Sequence, residues 1–251
     1  MIEVIPLFKD NYSYLIYEKE EKKAILIDPG EAGPILSLLQ ERELLLEAIL
    51  LTHHHQDHVG GVAELISCFP SAKLFGSELP ISSRIYIPAP HILSDHKVIS
   101  IGSFSFIPLS TPGHTKDHFS FFLQEESALF SGDALFLLGC GRLFEGTALE
   151  MERSLFSLTI LPEETKIYCG HEYTEKNLSF VRSLSLRQNP FLELYAKEMR
   201  ERGGRSVPGL LSREKLCNPF LRCREPAFQE EKKIREPHLL FQHLRQLRDH
   251  F

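Results

Sequence analysis

A run of four histidines and one aspartate follows a short apolar segment and constrains this chain more than any other feature of its sequence. The apolar segment spans residues 48–51, and the run after it is His53, His54, His55, Asp57 and His58. Side chains alternate along an extended backbone, so His53 and His55 project to one side and His54 to the other. Imidazoles combined with a carboxylate suit zinc, iron or manganese better than calcium or magnesium. The run therefore predicts a transition-metal site, and Asp57 and His58 can turn toward a second ion.

Further ligand-type residues stand at similar places along the chain. Strand-like apolar runs at residues 104–109, 128–130 and 166–169 are each followed by a small or glycine-rich turn, and these turns carry His114, Asp133 and His171. Turns that follow the strands of an α/β layer commonly converge on one site. A single histidine or aspartate in such a turn is usually only a turn residue, but the set together favours a shared metal site.

The hydrophobic pattern divides the chain into two blocks. Up to about residue 170, short runs rich in Ile, Leu and Phe alternate with a few helical stretches, which predicts a mixed α/β fold. From residue 174 onward, apolar residues recur at steps of three and four at 174–184, 190–201 and 238–249, which predicts helices. We therefore predict one domain over residues 1–173 and a smaller helical domain over residues 174–251.

The ligand residues, in this order and spacing, resemble those of the dinuclear metallo-β-lactamase superfamily. Other motifs are similar to those of glyoxalase II, the hydroxyacylglutathione hydrolases, and they extend over nearly the whole chain. They are Asp10-Asn11-Tyr12, Asp28-Pro29, Gly139-Cys140-Gly141-Arg142, Glu145-Gly146-Thr147, His171-Glu172-Tyr173-Thr174, Asn218-Pro219-Phe220 and Arg245-x-x-Arg248-Asp249-x-Phe251. The resemblance implies an αββα metallo-β-lactamase-like sandwich as the metal-binding catalytic domain, with the smaller C-terminal helical domain binding substrate.

The resemblance also implies a ligand set for two divalent ions. His53, His55 and His114 would hold one ion, Asp57, His58 and His171 the other, and Asp133 would bridge them. Zinc is the first expectation, and iron or manganese fit the same ligands. A water shared by two such ions should lose a proton near neutrality, since one zinc alone can lower its pKa to about 7. Asp57 and Asp133 are thus the expected catalytic carboxylates, because they hold the ions that carry the hydroxide nucleophile.

The activity implied by the resemblance is hydrolysis of S-(2-hydroxyacyl)glutathione thioesters. The expected reaction converts S-D-lactoylglutathione to glutathione and D-lactate, the second step of methylglyoxal detoxification. A thiol has a pKa near ~8.5, so the thiolate can leave without a protein acid. His54 and His118 are therefore expected outside the ligand set, either supporting it or at the surface.

Binding the carboxylates of glutathione requires cations, and the candidates are Arg142, Arg245 and Arg248, with Tyr173 donating a phenolic hydrogen bond. Arg245 and Arg248 lie one turn apart on a predicted helix, so they could instead form a solvated charged face. Arg142 and Arg248 stand where relatives often carry Lys, and Phe144 stands where Tyr is common.

Other functions in the same fold remain as alternatives. They are a sulfur dioxygenase, another thioesterase, a lactamase, a tRNA-processing ribonuclease and a metal-binding domain without activity. A net charge of −6 and the lack of a basic arm argue against nucleic acid as a partner. No stretch approaches the ~20 apolar residues of a membrane helix, so no membrane partner is expected. The N-terminus lacks a signal-peptide pattern, and the five cysteines are scattered without a C-x-x-C motif. We expect a cytoplasmic monomer.

Overall fold

The computed structural model of the protein describes residues 1–77, 91–184 and 190–251. Its contacts divide the chain into two compact units. The N-terminal unit comprises Met1–Ser110 and Asp117–Glu126, and the C-terminal unit comprises Thr111–Lys116 and Ser127–Phe251. Each unit has its own buried apolar residues and its own share of the predicted ligands.

The N-terminal unit contains strands, short helices and a six-stranded sheet. Its strands are β1 Ile2–Leu7, β2 Asn11–Glu18, β3 Lys23–Ile27, β4 Leu45–Leu50, β5 Lys73–Gly76, β6 His91–Ile92, β7 Ile99–Ile101, β8 Phe104–Ser110 and β9 Phe119–Leu123. Its helices are α1 Gly33–Glu41, α2 Gln56–Val59 and α3 Val62–Cys68. The six-stranded sheet has the order β1-β2-β3-β4-β5-β6, antiparallel between β1, β2 and β3 and parallel from β3 to β6. Strands β7, β8 and β9 pair antiparallel in sequence order.

One buried apolar cluster joins the six-stranded sheet to α1 and α3. It includes Leu15 and Leu26 from the strands, Ile35 from α1, and Val62 and Leu65 from α3, all of which are almost fully buried. Each such side chain contributes roughly 1.5–3 kcal/mol on burial. This cluster fixes the ends of β3 and β4, from which Asp28 and the histidine run emerge.

Residues 56–68 form two short helices, α2 and α3, separated by Gly60 and Gly61. A Cβ on Gly60 would lie 2.4 Å from the carbonyl oxygen of Gly30, and one on Gly61 would lie 2.6 Å from the carbonyl carbon of Glu31. The backbone at Gly60 and Gly61 therefore approaches the backbone at Gly30 and Glu31 to a distance that only glycine permits.

The C-terminal unit contains the remaining elements. They are β10 Ala128–Gly132, β11 Leu135–Phe136, β12 Gly139–Cys140, α4 Ala148–Leu158, β13 Lys166–Cys169, α5 Thr174–Ser183, α6 Pro190–Glu201, β14 Gly209–Leu210, α7 Leu211–Cys217, α8 Pro226–Lys232 and α9 Pro237–Asp249. Strand β13 pairs parallel with β10 and antiparallel with β14, and β11 pairs with β12. The helices predicted after residue 174 are present as α5, α6 and α9.

Helix α4 was not predicted from the pattern of the sequence. Its start is marked by a capping box, in which the Thr147 side chain accepts a bond from the Glu150 N–H and the Glu150 carboxylate accepts one from the Thr147 N–H. Its apolar face packs against α9, where Leu240, Phe241 and Leu244 are fully buried. The last helix of the chain is thus anchored within the C-terminal unit.

A buried carboxyl group links α6 and α7 to the turn before β12. Tyr195 donates a hydrogen bond to Glu214, and the Leu138 N–H and Asn218 side chain donate two more, each 2.8 Å long. Burial raises the pKa of Glu214 to about 7, although these hydrogen bonds act in the opposite direction. The group is therefore poised to change charge near neutrality.

The described part of the chain offers no helix long and apolar enough to cross a membrane. The five cysteines are free thiols, and all except Cys68 are buried.

Glu214 should make the protein less stable as the pH rises from its ordinary pKa of 4.5 to about 7. In this window the folded protein binds the proton more tightly than the unfolded chain, so a rising pH favours unfolding. The full window is worth about 3 kcal/mol in the free energy of unfolding. Urea unfolding should be measured for the wild type and for Glu214→Gln at one pH below this window and one above it. The difference between their free energies of unfolding should change between the two pH values. The matched control is Glu163→Gln, an exposed glutamate that pairs with Lys215. A difference that does not change with pH would contradict the assignment.

Candidate active site

The histidine run leaves the end of β4 and enters α2, with His55 at the N-cap of that short helix. His53 and His58 are buried, and their ring centroids lie 4.2 Å apart. The His53 and His55 rings meet edge to face with centroids 4.7 Å apart. The fold of the N-terminal unit thus gathers these three imidazoles into one cluster.

A buried carboxylate at the end of β3 fixes two of these rings. Asp28 accepts hydrogen bonds from the Thr52 N–H at 2.8 Å, the Thr52 hydroxyl at 2.6 Å and His58 Nδ1 at 2.9 Å. Because the Thr52 hydroxyl donates to Asp28, its oxygen accepts from His53 Nδ1, which lies 2.9 Å away. Both imidazoles therefore carry a proton on Nδ1 and a lone pair on Nε2, the form in which a histidine binds a metal.

Asp57 is held from the neighbouring strand β2. The side-chain amide of Asn11 donates to Asp57 Oδ2 at 2.9 Å, and Asn11 is itself buried. The Asp57 side chain keeps 43% of its surface exposed. Asn11 therefore orients this carboxylate while leaving part of it accessible to a ligand.

Two other histidines of the N-terminal unit, His54 and His118, make different contacts. His54 Nδ1 lies 2.9 Å from Asp117 Oδ1, and this pair is separate from the Asp28 hydrogen bonds. The His118 ring is fully buried and stacks on His53 with the centroids 5.1 Å apart. His118 therefore packs against a predicted ligand, and His54 pairs with a carboxylate of its own.

The C-terminal unit brings together the other three predicted ligands. Asp133 Oδ2 lies 3.4 Å from His114 Nε2 and 3.3 Å from His171 Nε2, and all three residues are buried. His114 Nδ1 donates to the carbonyl of Arg142 at 2.9 Å, which fixes the lone pair on Nε2. One carboxylate oxygen thus faces two imidazole nitrogens of the kind that bind metals.

Gly141 allows the backbone to pass directly behind these ligands. A Cβ at this position would lie 2.0 Å from the carbonyl oxygen of Asp133 and 3.1 Å from His114 Nδ1. Glycine is therefore required at position 141 by close packing against the predicted ligands.

The predicted substrate-binding arginines gather around this turn and the end of α9. Arg245 is 5% exposed, and its Nη1 donates to the Cys140 carbonyl at 2.9 Å. Arg248 donates through Nε and Nη2 to Asn177 Oδ1, each at 3.3 Å. Burial, together with the positive charges of Arg245 and Arg142, lowers the pKa of Arg248 below its usual range. A fully solvated face is therefore the wrong description of this pair.

The aromatic residues of the predicted site have distinct surroundings. Tyr173 stacks parallel on His171, with ring centroids 4.8 Å apart and an angle of 5° between the planes. Phe144, which stands where tyrosine is common in the family that the chain resembles, is 62% exposed. Its ring meets that of His114 edge to face, with the centroids 5.2 Å apart.

The donor sets of the two units fit divalent metal ions. Imidazole nitrogens and carboxylate oxygens are the ligands of zinc, iron and manganese sites, and here protein hydrogen bonds fix the opposite sides of several of these groups. The sequence pointed to the ligands themselves, but Asp28, Asn11 and Thr52 had no assigned role. Asp28 directly follows a strand, as the ligand turns do, and this signal could have identified it.

Comparison with known proteins extends these observations over the whole chain. Residues 8–171 match the model of the metallo-beta-lactamase superfamily, and residues 172–251 match that of the hydroxyacylglutathione hydrolase C-terminus. A hydroxyacylglutathione hydrolase of Aliivibrio salmonicida is 42% identical over 234 residues, covering 92% of this chain and 89% of the relative. The domain boundary predicted after residue 173 stays a prediction.

Two crystal structures place the fold among known ones. The B3 metallo-beta-lactamase BLEG-1 has a TM-score of 0.68 and 28% identity, covering 88% of this chain and 99% of that one. The protein TTHA1623 in a di-iron-bound form has a TM-score of 0.55 and 31% identity, covering 68% of this chain and 91% of that one. The predicted metallo-β-lactamase-like α/β fold with a C-terminal helical region is confirmed.

Asp28→Asn should weaken metal binding by about tenfold to a hundredfold, because His58 loses the carboxylate that orients it. Competition with a chelator of known affinity measures the change, and circular dichroism checks that the fold is intact. The matched control is Asp117→Asn, which removes an equally buried carboxylate from His54. If both variants lost metal to the same extent, Asp28 would have no special role at the metal ligands.

Proposed function

This chain belongs to the hydroxyacylglutathione hydrolase family of the metallo-β-lactamase superfamily, and on that premise we propose that it hydrolyses S-(2-hydroxyacyl)glutathione thioesters. The preferred substrate in this proposal is S-D-lactoylglutathione, and the products are glutathione and D-lactate. A 42% identical relative that carries the name of this hydrolase supports the proposal.

We propose that the predicted ligands hold two divalent ions. His53, His55 and His114 would bind one, Asp57, His58 and His171 the other, and Asp133 both. Zinc is the proposed metal, with iron as the alternative, since a relative of the same fold was crystallised in a di-iron-bound form. Bound there, such ions would supply Lewis acidity, which lowers the pKa of water and polarises a thioester carbonyl.

The protein's own contribution is to hold these ligands in position. Asp28 and Thr52 hold the protonated Nδ1 atoms of His58 and His53, so that each Nε2 would remain to bind an ion, and the Arg142 carbonyl does the same for His114. Asn11 holds the Asp57 carboxylate. No side chain is needed as an acid for the leaving group, because a thiolate is stable enough to leave unprotonated.

Three arginines at the Gly-Cys-Gly turn and the end of α9 give the strongest structural support for glutathione. Arg142, Arg245 and Arg248 lie close enough for the charges of the first two to lower the pKa of the third. Glutathione carries two carboxylates, and guanidinium groups bind carboxylates through paired hydrogen bonds. Arg245 and Arg248 lie in residues 172–251, which match the model of the hydroxyacylglutathione hydrolase C-terminus.

We further propose that the protein acts as a cytoplasmic monomer on this small molecule, without nucleic acid or a membrane as partner. The net charge of −6 supports the lack of a nucleic-acid partner. A dioxygenase, lactamase or ribonuclease activity has less support, because the C-terminal region matches the hydrolase model.

The purified protein should hydrolyse S-D-lactoylglutathione, and its metal content should be measured on the same sample. Asp133→Ala should lower turnover by several orders of magnitude and release metal, because one carboxylate oxygen faces two ligand histidines. Asp95→Ala, an exposed aspartate on another loop, is the control. Wild-type protein that binds metal but cleaves a β-lactam in preference to the thioester would overturn the proposed function.

Arg248→Ala should cost about tenfold to a hundredfold in kcat/KM on the glutathione thioester, mainly through KM. A small thioester without the tripeptide should be hydrolysed as before, since it does not reach the arginine. Arg248→Lys is the matched control, because lysine keeps the charge at this position. Equal losses on both substrates would mean that Arg248 serves the structure, through Asn177 and α9.

A further inference from the structure

Among the three arginines lies a carboxylate that the proposed reaction does not use. Asp249 Oδ1 lies 3.0 Å from Arg245 Nη2 and 3.7 Å from Arg142 Nε. The same oxygen therefore contacts two of the cations proposed to bind the carboxylates of the substrate. The Asp249 side chain is 39% exposed to solvent.

Arg245 does not depend on Asp249 for its position. Its Nη1 donates to the Cys140 carbonyl, and its guanidinium lies over the Phe220 ring at 5.4 Å. Its buried Nε has no hydrogen-bond partner among the residues that the structure describes. The guanidinium is thus held in place by groups other than Asp249.

The position of Asp249 is unfavourable for the helix that carries it. Asp249 is the last residue of α9, where the helix dipole favours a cation over an anion. Three arginines and one aspartate also leave the cluster positive, so the carboxylate only partly neutralises it. The presence of an aspartate at this position is therefore explained better by its contacts with the arginines than by the stability of α9.

From these contacts we infer that Asp249 is an affinity-setting residue, an internal carboxylate that competes with the carboxylates of glutathione for Arg245 and Arg142. The inference rests on the proposed function. The thioester and its thiol product share the same tripeptide, so contacts to it bind both equally well and do not speed the chemical step. A resident carboxylate weakens both complexes and lets the product leave.

Asp249→Asn removes the charge and keeps the shape, and its kinetics test the inference. The KM for S-D-lactoylglutathione and the inhibition constant of free glutathione should both fall about threefold to fivefold, with kcat the same or lower. The dimethyl ester of glutathione, which lacks both carboxylates, should inhibit the variant and the wild type equally. Glu236→Gln makes the same charge change at the exposed N-cap of α9 and is the control.

Constants for glutathione that stay unchanged or rise in Asp249→Asn would overturn the inference, as would an equal gain for the dimethyl ester. Asp249→Ser carries the same expectation should the asparagine variant not fold. A wild-type protein without thioesterase activity would instead contradict the proposed function. The wild-type activity is therefore measured before any variant is compared.

Discussion

The proposed metal ligands depend on hydrogen bonds made by the side of each group that would face away from the ion. A neutral imidazole can carry its proton on either nitrogen, and only the other nitrogen binds a metal. Asp28, Thr52 and the Arg142 carbonyl settle this choice for His58, His53 and His114. A buried carboxylate such as Asp28 is costly unless it is well bonded, and its three donors meet that cost. The ligands and their supports therefore have to fold as one unit.

Close backbone packing is the second condition for the site. Gly60 and Gly61 let the start of α3 approach the segment after Asp28, and Gly141 lets the turn after β12 pass behind Asp133 and His114. A side chain at any of these positions would push the hydrogen-bonding groups away from the ligands. The glycines thus act on the site without contributing a functional group.

The sequence predicted what local patterns encode, and missed what distant contacts create. The histidine run and the ligand turns were visible because each follows an apolar run. Helix α4 was missed although its capping box was readable. Whether Arg245 was solvated could not be decided, because its burial depends on Cys140, which is 105 positions away. The assignment of ligands to two ions stays a prediction.

Four of the five thiols of the chain are buried, where oxidised glutathione does not reach them. Burial raises the pKa of Cys140 to about 11, and it raises those of Cys169 and Cys223 further. Disulfide exchange requires a thiolate, so these groups stay unreactive at neutral pH. Oxidised glutathione would therefore react with Cys68, the exposed cysteine. A protein that handles glutathione can thus keep its interior free of mixed disulfides even when its surroundings become oxidising.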